Sequence, residues 1–288
     1  MIQKIIGRTK KVMRIIERKI EKLFSSISIS YKHVICLGLL TLLISYILML
    51  AVDIFNVFNT RSLLEDLYIP LLWNSIFTER GPVEILQWIF LAGFSITSAK
   101  IAKNFKEKDK LKESIFWSLF AFGGFIMLLE DAVNIRHFII GTVFSLEWYV
   151  GKKLELLIFG LIALLPIIAI IKYFKYVNQD KVTNILIVLG FIFYGSAVFI
   201  SGPADLTEIN PWIGNSLYDL TVSIGGEEVE EIYVYIDEKM VATQDGKLVW
   251  YRFVDFLVEE SLELLGATML FASTLSYKKY LKKEYDYY

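Results

Sequence analysis

The sequence predicts an all-α membrane protein: a six-transmembrane-helix bundle carrying a small extracytoplasmic β-hairpin. Three observations carry that prediction. The 288 residues are 55% hydrophobic with a mean hydropathy of +0.52, too apolar for a water-soluble domain and too charged to be disordered. The apolar residues fall in blocks of about 20, the length that crosses a hydrocarbon core of about 30 Å. The two signs of charge, finally, alternate between the connections that separate those blocks.

Residues 1–32 read as a cytoplasmic basic amphipathic helix. Ile5, Val12, Ile16, Ile20, Leu23 and Ile27 recur at helical spacing, and Lys4, Arg8, Lys11, Arg14, Arg18 and Lys22 lie opposite. Such a helix lies on the inner leaflet, drawn to anionic lipid. Its basic stretch is too long for a signal peptide and no small-residue cleavage site follows, so the first span reads as an uncleaved anchor. Nothing in it reads bases, so nucleic acid is not an expected partner, and no protein partner is indicated.

The transmembrane domain covers 33–276, with spans at 33–55, 82–101, 114–137, 154–173, 184–203 and 251–276. Unbroken apolar runs of this length satisfy their backbone as helices. An even number of spans puts both termini on one side, together with the connections 100–113 and 172–182 and the tail 277–288. These segments and 1–32 hold 22 of the 30 Lys and Arg but 8 of the 31 acids, so that side carries +14 and the rest −15. Short basic flanks stay in the cytoplasm. The expectation is therefore a multi-pass protein of the cell membrane with cytoplasmic N- and C-termini.

The connections 56–81, 138–153 and 204–250 then face outward. In the first, Leu63 to Trp73 reads as a segment that dips back to the membrane surface. The insert 204–250 is the longest. Glu231 to Asp237 alternates with period two, and Asp245-Gly246 precedes Lys247 to Tyr251, a hairpin signal. The single Cys36 excludes a disulfide framework within the chain. No His-Glu-x-x-His, Gly-x-Ser-x-Gly, phosphate loop or dinucleotide fingerprint occurs.

Chemistry, if present, lies in acids within the spans. Glu84 opens the second span with Gln87 one turn deeper; Glu130, Asp131, Asn134 and His137 close the third; Glu155 opens the fourth; Asp255, Glu259, Glu260 and Glu263 open the sixth. At 1.5 Å per residue Glu130 lies about 24 Å from the inner start of its span, and Glu259 and Glu263 about 12–18 Å below the outer start of theirs. All fall in the outer half of the membrane. Glu130, Asn134 and His137 share one helical stripe; Asp255, Glu259 and Glu263 share another, with Glu260 about 100° to its side. A charge at the centre of a span costs at least about 2.5–3.5 kcal/mol, so these stripes should face the bundle interior, holding protons or sharing a metal ion.

Three uses of such a cluster stay open. The acids can be helix–helix glue, bonded to Gln87, Asn134, Arg136 and Tyr194. They can hold a divalent cation as the cofactor, with Glu84, Glu130, Asp131, Glu260 and His137 as ligands. In that version Glu259 or Glu263 is the catalytic general base, acting on a lipid-linked or extracytoplasmic substrate. Or they carry the coupling ion of a transporter. No acid occupies the inner half of any span, which speaks against a continuous pore.

The opening Thr78-Glu-Arg-Gly-Pro-Val-Glu84-Ile-Leu-Gln87 resembles the Glu-Asp-Gly-x-x-Glu span start of a group of uncharacterised prokaryotic multi-pass membrane proteins. Leu129-Glu130-Asp131-Ala-Val-Asn134-Ile-Arg136-His137 is similar to their Glu-Glu-Ile-Ser-Trp-Gly-Gln-Arg motif, and Val258 to Gly266 to their closing Glu-rich helix. Asn134, Ile135 and Arg136 depart from that pattern, and the group's Asn- and His-bearing downstream segment is missing. The resemblance implies that Glu84, Glu130, Asp131, Glu259 and Glu263 belong to one site; it implies no activity. Glu130-Asp131 also echoes the Glu-Glu-x-x-x-Arg helix of intramembrane CAAX-processing proteases. There the Arg would fall one residue late and both further His motifs are absent, so that likeness is set aside.

Overall fold

The computed structural model describes residues 29–55, 57–60, 72–77, 80–133, 148–204, 207, 209–225 and 253–285. They form helices α1 (Tyr31–Met49), α2 (Leu72–Phe77), α3 (Pro82–Glu107), α4 (Leu111–Val133), α5 (Trp148–Tyr173), α6 (Lys181–Phe199), α7 (Ile209–Gly225) and α8 (Glu259–Tyr285). π-Helical turns continue α1 over Leu50–Ile54 and α6 over Ile200–Ala204, and another precedes α8 over Phe253–Val258. Among the described residues there is no strand.

Local signals start these helices. Pro82 occupies the first turn of α3, where its missing N–H costs nothing. Asp180 caps α6 by accepting from the Thr183 backbone N–H at 3.1 Å and from its hydroxyl at 2.5 Å. Before α1, His33 Nδ1 accepts from the Ser30 backbone N–H at 3.4 Å.

Among the described residues, five segments are long and apolar enough to cross a membrane: Tyr31–Val52, Ser75–Glu107, Leu111–Val133, Leu156–Tyr176 and Lys181–Gly202. Their outward faces match a lipid solvent; on α1 alone Leu39, Leu40, Leu43, Ile44 and Ile47 are exposed. The expected sixth span is not among them. Its helix, α8, has acids at one end and Lys278, Lys279, Lys282 and Lys283 at the other.

Yet α8 is the centre of the bundle. It packs on α6, α3 and α1, while α4 packs on α3 and α5 on α4. Leu264, Ala267, Thr268, Leu270, Ala272, Ser273 and Thr274 are all fully covered. A helix walled in by other helices needs small, fitting residues rather than apolar ones. The α8 hydroxyls satisfy themselves: Thr268 donates to the Leu264 carbonyl at 2.6 Å, Ser273 to Leu270 at 2.6 Å and Thr274 to Phe271 at 2.8 Å. Gly38 of α1 and Gly190 of α6 let those helices close on Thr268 and Leu270.

Within the expected insert 204–250, residues 209–225 form helix rather than belonging to a purely β element. Asn210 anchors it, its Nδ2 donating to the Ile200 carbonyl at 3.0 Å. Asn, Gly, Thr and Ser interrupt its apolar residues and hide the helical period. The expected hairpin at 231–251, most of the amphipathic helix 1–32 and Leu63 to Leu71 lie outside the described residues. The α-helical stripe does not reach Asp255, because residues 253–258 take the wider π-helical winding.

Candidate functional site

The bundle has a basic end and an opposite end. At the basic end Lys108–Lys110 joins α3 to α4 and Phe174–Asp180 joins α5 to α6. The acids predicted from sequence sit at the opposite end, where α3 and α8 begin and α4 finishes.

Gln87 organises that end. Its side chain has no exposed surface, and its Nε2 donates to Asp131 Oδ2 at 2.7 Å and to Glu263 Oε2 at 2.9 Å. One amide thus ties three helices, α3, α4 and α8. Glu130 is buried beside Asp131, whose electrostatic neighbours are Glu263 and Glu130, both acids.

Tyr194 of α6 closes the cluster. Its ring is buried, and its hydroxyl lies beside Asp131, Glu263, Gln87 and Glu260. It reaches this place because Gly266, three residues after Glu263, has no side chain; a Cβ there would collide with the Tyr194 ring. Gln87 Oε1 and Tyr194 Oη are buried without a hydrogen bond of normal geometry, the Tyr194 hydroxyl having the Gln87 amide as its neighbour. The cluster is a set of hard oxygens, two neutral and the rest carboxylic.

Glu84 is buried, but its carboxylate accepts from the Arg80 backbone N–H at the start of its own helix. Arg80 itself adopts a φ of 67°, in the left-handed region, where the chain turns into α3. Glu259 and Glu260 are half-buried in the first turn of α8. Asn134, Arg136 and His137 lie outside the described residues, as do the side chains of Glu155 and Asp255. Among the described residues no three His, Cys, Asp or Glu are grouped closely enough to hold a metal ion.

Sequence reasoning had Gln87 and Tyr194 only as partners in the glue reading. The structure makes them the elements around which the acids are arranged. A signal existed: Gln87 lies one turn from Glu84, and a Gln inside a span needs a partner. Nearby, Tyr46 Oη and Ser261 Oγ, 2.9 Å apart, tie α1 to α8.

Toward the basic end the interior turns apolar. Phe94, Phe120, Gly123, Met127 and Phe191 enclose a void of about 10 Å³, space for one water at most. Phe90 packs on Phe271 with centroids 6.0 Å apart, and Phe94 on Phe120 at the same distance.

Compared with protein-family models, curated proteins and solved structures, the chain matches none.

Proposed function

We propose that this chain is a multi-pass membrane protein that binds a cation, a proton included, in a carboxylate pocket near the outer face. That binding serves an extracytoplasmic or lipid-linked ligand. The observation that carries the reading is the Gln87 amide shared by Asp131 and Glu263, with the Tyr194 hydroxyl buried against the same amide. Carboxyls this close, out of water, favour a bound cation or retained protons over two free negative charges, and the two neutral oxygens add further hard donors.

The topology belongs to the same proposal. α8 is the sixth crossing, tolerated despite its charges because other helices cover it. Both termini are cytoplasmic in the cell membrane, by the charge bias of the connections. The hairpin over 231–251 would roof the pocket from outside.

The ion-coupled reading has more support than the catalytic one. In the catalytic reading, with a metal held by Glu84, Glu130, Asp131, Glu260 and His137 and Glu259 or Glu263 as base, one oxygen of Glu84 is already engaged by the Arg80 N–H. The aromatic packing below the cluster favours a site reached from one side over a pore.

A scaffold reading has one observation of its own. An amide bonded to two helices is also what a helix lock requires. One experiment separates the two. Purified protein is melted across pH and with Na⁺, Ca²⁺ and Mn²⁺, beside Asp131→Asn/Glu263→Gln. Cation binding predicts a rise in Tm with one cation, or a proton dependence, that the double variant lacks. A double variant that melts below the wild-type temperature, with neither protein responding to pH or to any cation, establishes the lock and overturns the proposal.

A further inference from the structure

A groove runs along the lipid-facing seam between α3 and α4, on the basic side of the carboxylate cluster. Its volume is about 490 Å³. Ser95, Ala99 and Ala102 form the α3 side of its floor, and Ser114, Ser118 and Ala121 the α4 side. Each trio follows i, i+4, i+7, so small residues face each other turn by turn. Two hydrogen bonds draw the helices together beneath it. Ser95 Oγ donates to the Ala121 carbonyl at 2.7 Å, and Ser114 Oγ to the Ala102 carbonyl at 2.9 Å.

The walls are unlike at the two ends. Phe122 and Phe125, both exposed, flank the end nearer the membrane centre. Lys103 and Lys106 stand at the end next to the Lys108–Lys110 turn. Both lysines are exposed, and neither side chain is engaged by a hydrogen bond or ion pair among the described residues. The sequence around them, 100–113, carries six lysines against three acids, Glu107, Asp109 and Glu113.

From Ser95 to Lys106 the groove spans eleven residues of helix, about 16 Å at 1.5 Å per residue. That is one leaflet of a hydrocarbon core of about 30 Å. We propose that the groove between α3 and α4 is a binding site for an anionic phospholipid, one acyl chain lying on the Ala/Ser floor between Phe122 and Phe125. Its phosphate sits between Lys103 and Lys106. A basic residue near an anionic membrane surface is worth about 1 kcal/mol, about fivefold, so the pair gives about thirtyfold preference over a zwitterionic lipid. This assignment is independent of the carboxylate pocket and of what that pocket binds.

The test is native mass spectrometry of the full chain in detergent, offered equal phosphatidylglycerol and phosphatidylcholine of the same acyl composition. The wild type is expected to retain one phosphatidylglycerol, with the preference above. Lys103→Gln/Lys106→Gln should bring the ratio close to one, and Ala99→Phe, which fills the floor, should lower retention of both lipids. Lys103→Arg/Lys106→Arg keeps the charge and should keep the preference, which guards against a folding defect in the Gln pair. An unchanged ratio in the Gln pair overturns the proposal. So does glycerol phosphate competing as well as the whole lipid, which would make it a headgroup site with no use for the groove. If Ala99→Phe instead dissociates a dimer while lipid preference is unchanged, the seam is an interface between copies and the assignment is wrong.

Discussion

At the basic end of the bundle, rings pack on rings: Trp117 lies 4.8 Å from Tyr277 between centroids, Phe116 lies 4.3 Å from Phe120, and Phe105 packs on Tyr277 at 6.2 Å. At the other end Gln87, Asp131, Glu263 and Tyr194 meet through polar atoms. The same helices, α3, α4, α6 and α8, supply both regions. In lipid the apolar end gains from close packing alone, since the surrounding solvent is as apolar as the core. The polar end spends part of that stability on groups that would be easier to bury as leucines, as sites that bind something commonly do.

This contrast can be broken first at the aromatic end. Trp117→Ala removes a side chain with no exposed surface and should cost about 3–5 kcal/mol, the largest loss from any single truncation in the bundle. Unfolding of the detergent-solubilised protein would show it, with lipid-facing Leu43→Ala as the reference. Equal losses for the two would mean that the aromatic end is not the stabilising core.

A smaller effect sharpens the other side. Gly266→Ala places a methyl against the Tyr194 ring. Overpacking of that kind costs about 1–3 kcal/mol, against which the better helix propensity of Ala returns up to about 1 kcal/mol. A modest fall in Tm is therefore expected, together with loss of the cation or proton response, because Tyr194 Oη is pushed from the cluster. A response kept intact would show that Tyr194 stands beside the pocket without serving it.

How much of this was legible in the sequence depends on what each residue signals by itself. Runs such as Tyr31–Val52 and Lys181–Gly202 announce their crossings because lipid contact demands apolar side chains all round. The gathering of Glu130, Asp131 and Glu263 at one end followed from counting residues along alternating helices. The central place of α8 did not, since its hydropathy is lowered by the small hydroxyl residues and end charges that suit it to the middle. Glu84 was legible as an intramembrane acid, but not as one that accepts from the N–H of Arg80, four residues back. Gln87 carries no charge for a pattern to detect, and only the packing of three helices shows that its amide has two carboxylates to serve. Helix 209–225 escaped because Asn215, Thr221 and Ser223 break its period.

The central claim is that α3, α4 and α8 bring Gln87, Asp131 and Glu263 together in the bundle interior. Cysteine cross-linking tests it most directly, in a Cys36→Ser background with a short bifunctional thiol reagent applied to protein in native membranes. Gln87→Cys paired with Asp131→Cys, and Gln87→Cys paired with Glu263→Cys, should each link in high yield and resist a lipid-soluble maleimide. If neither pair links and each single cysteine reacts freely with the maleimide, these side chains face lipid and the pocket does not exist.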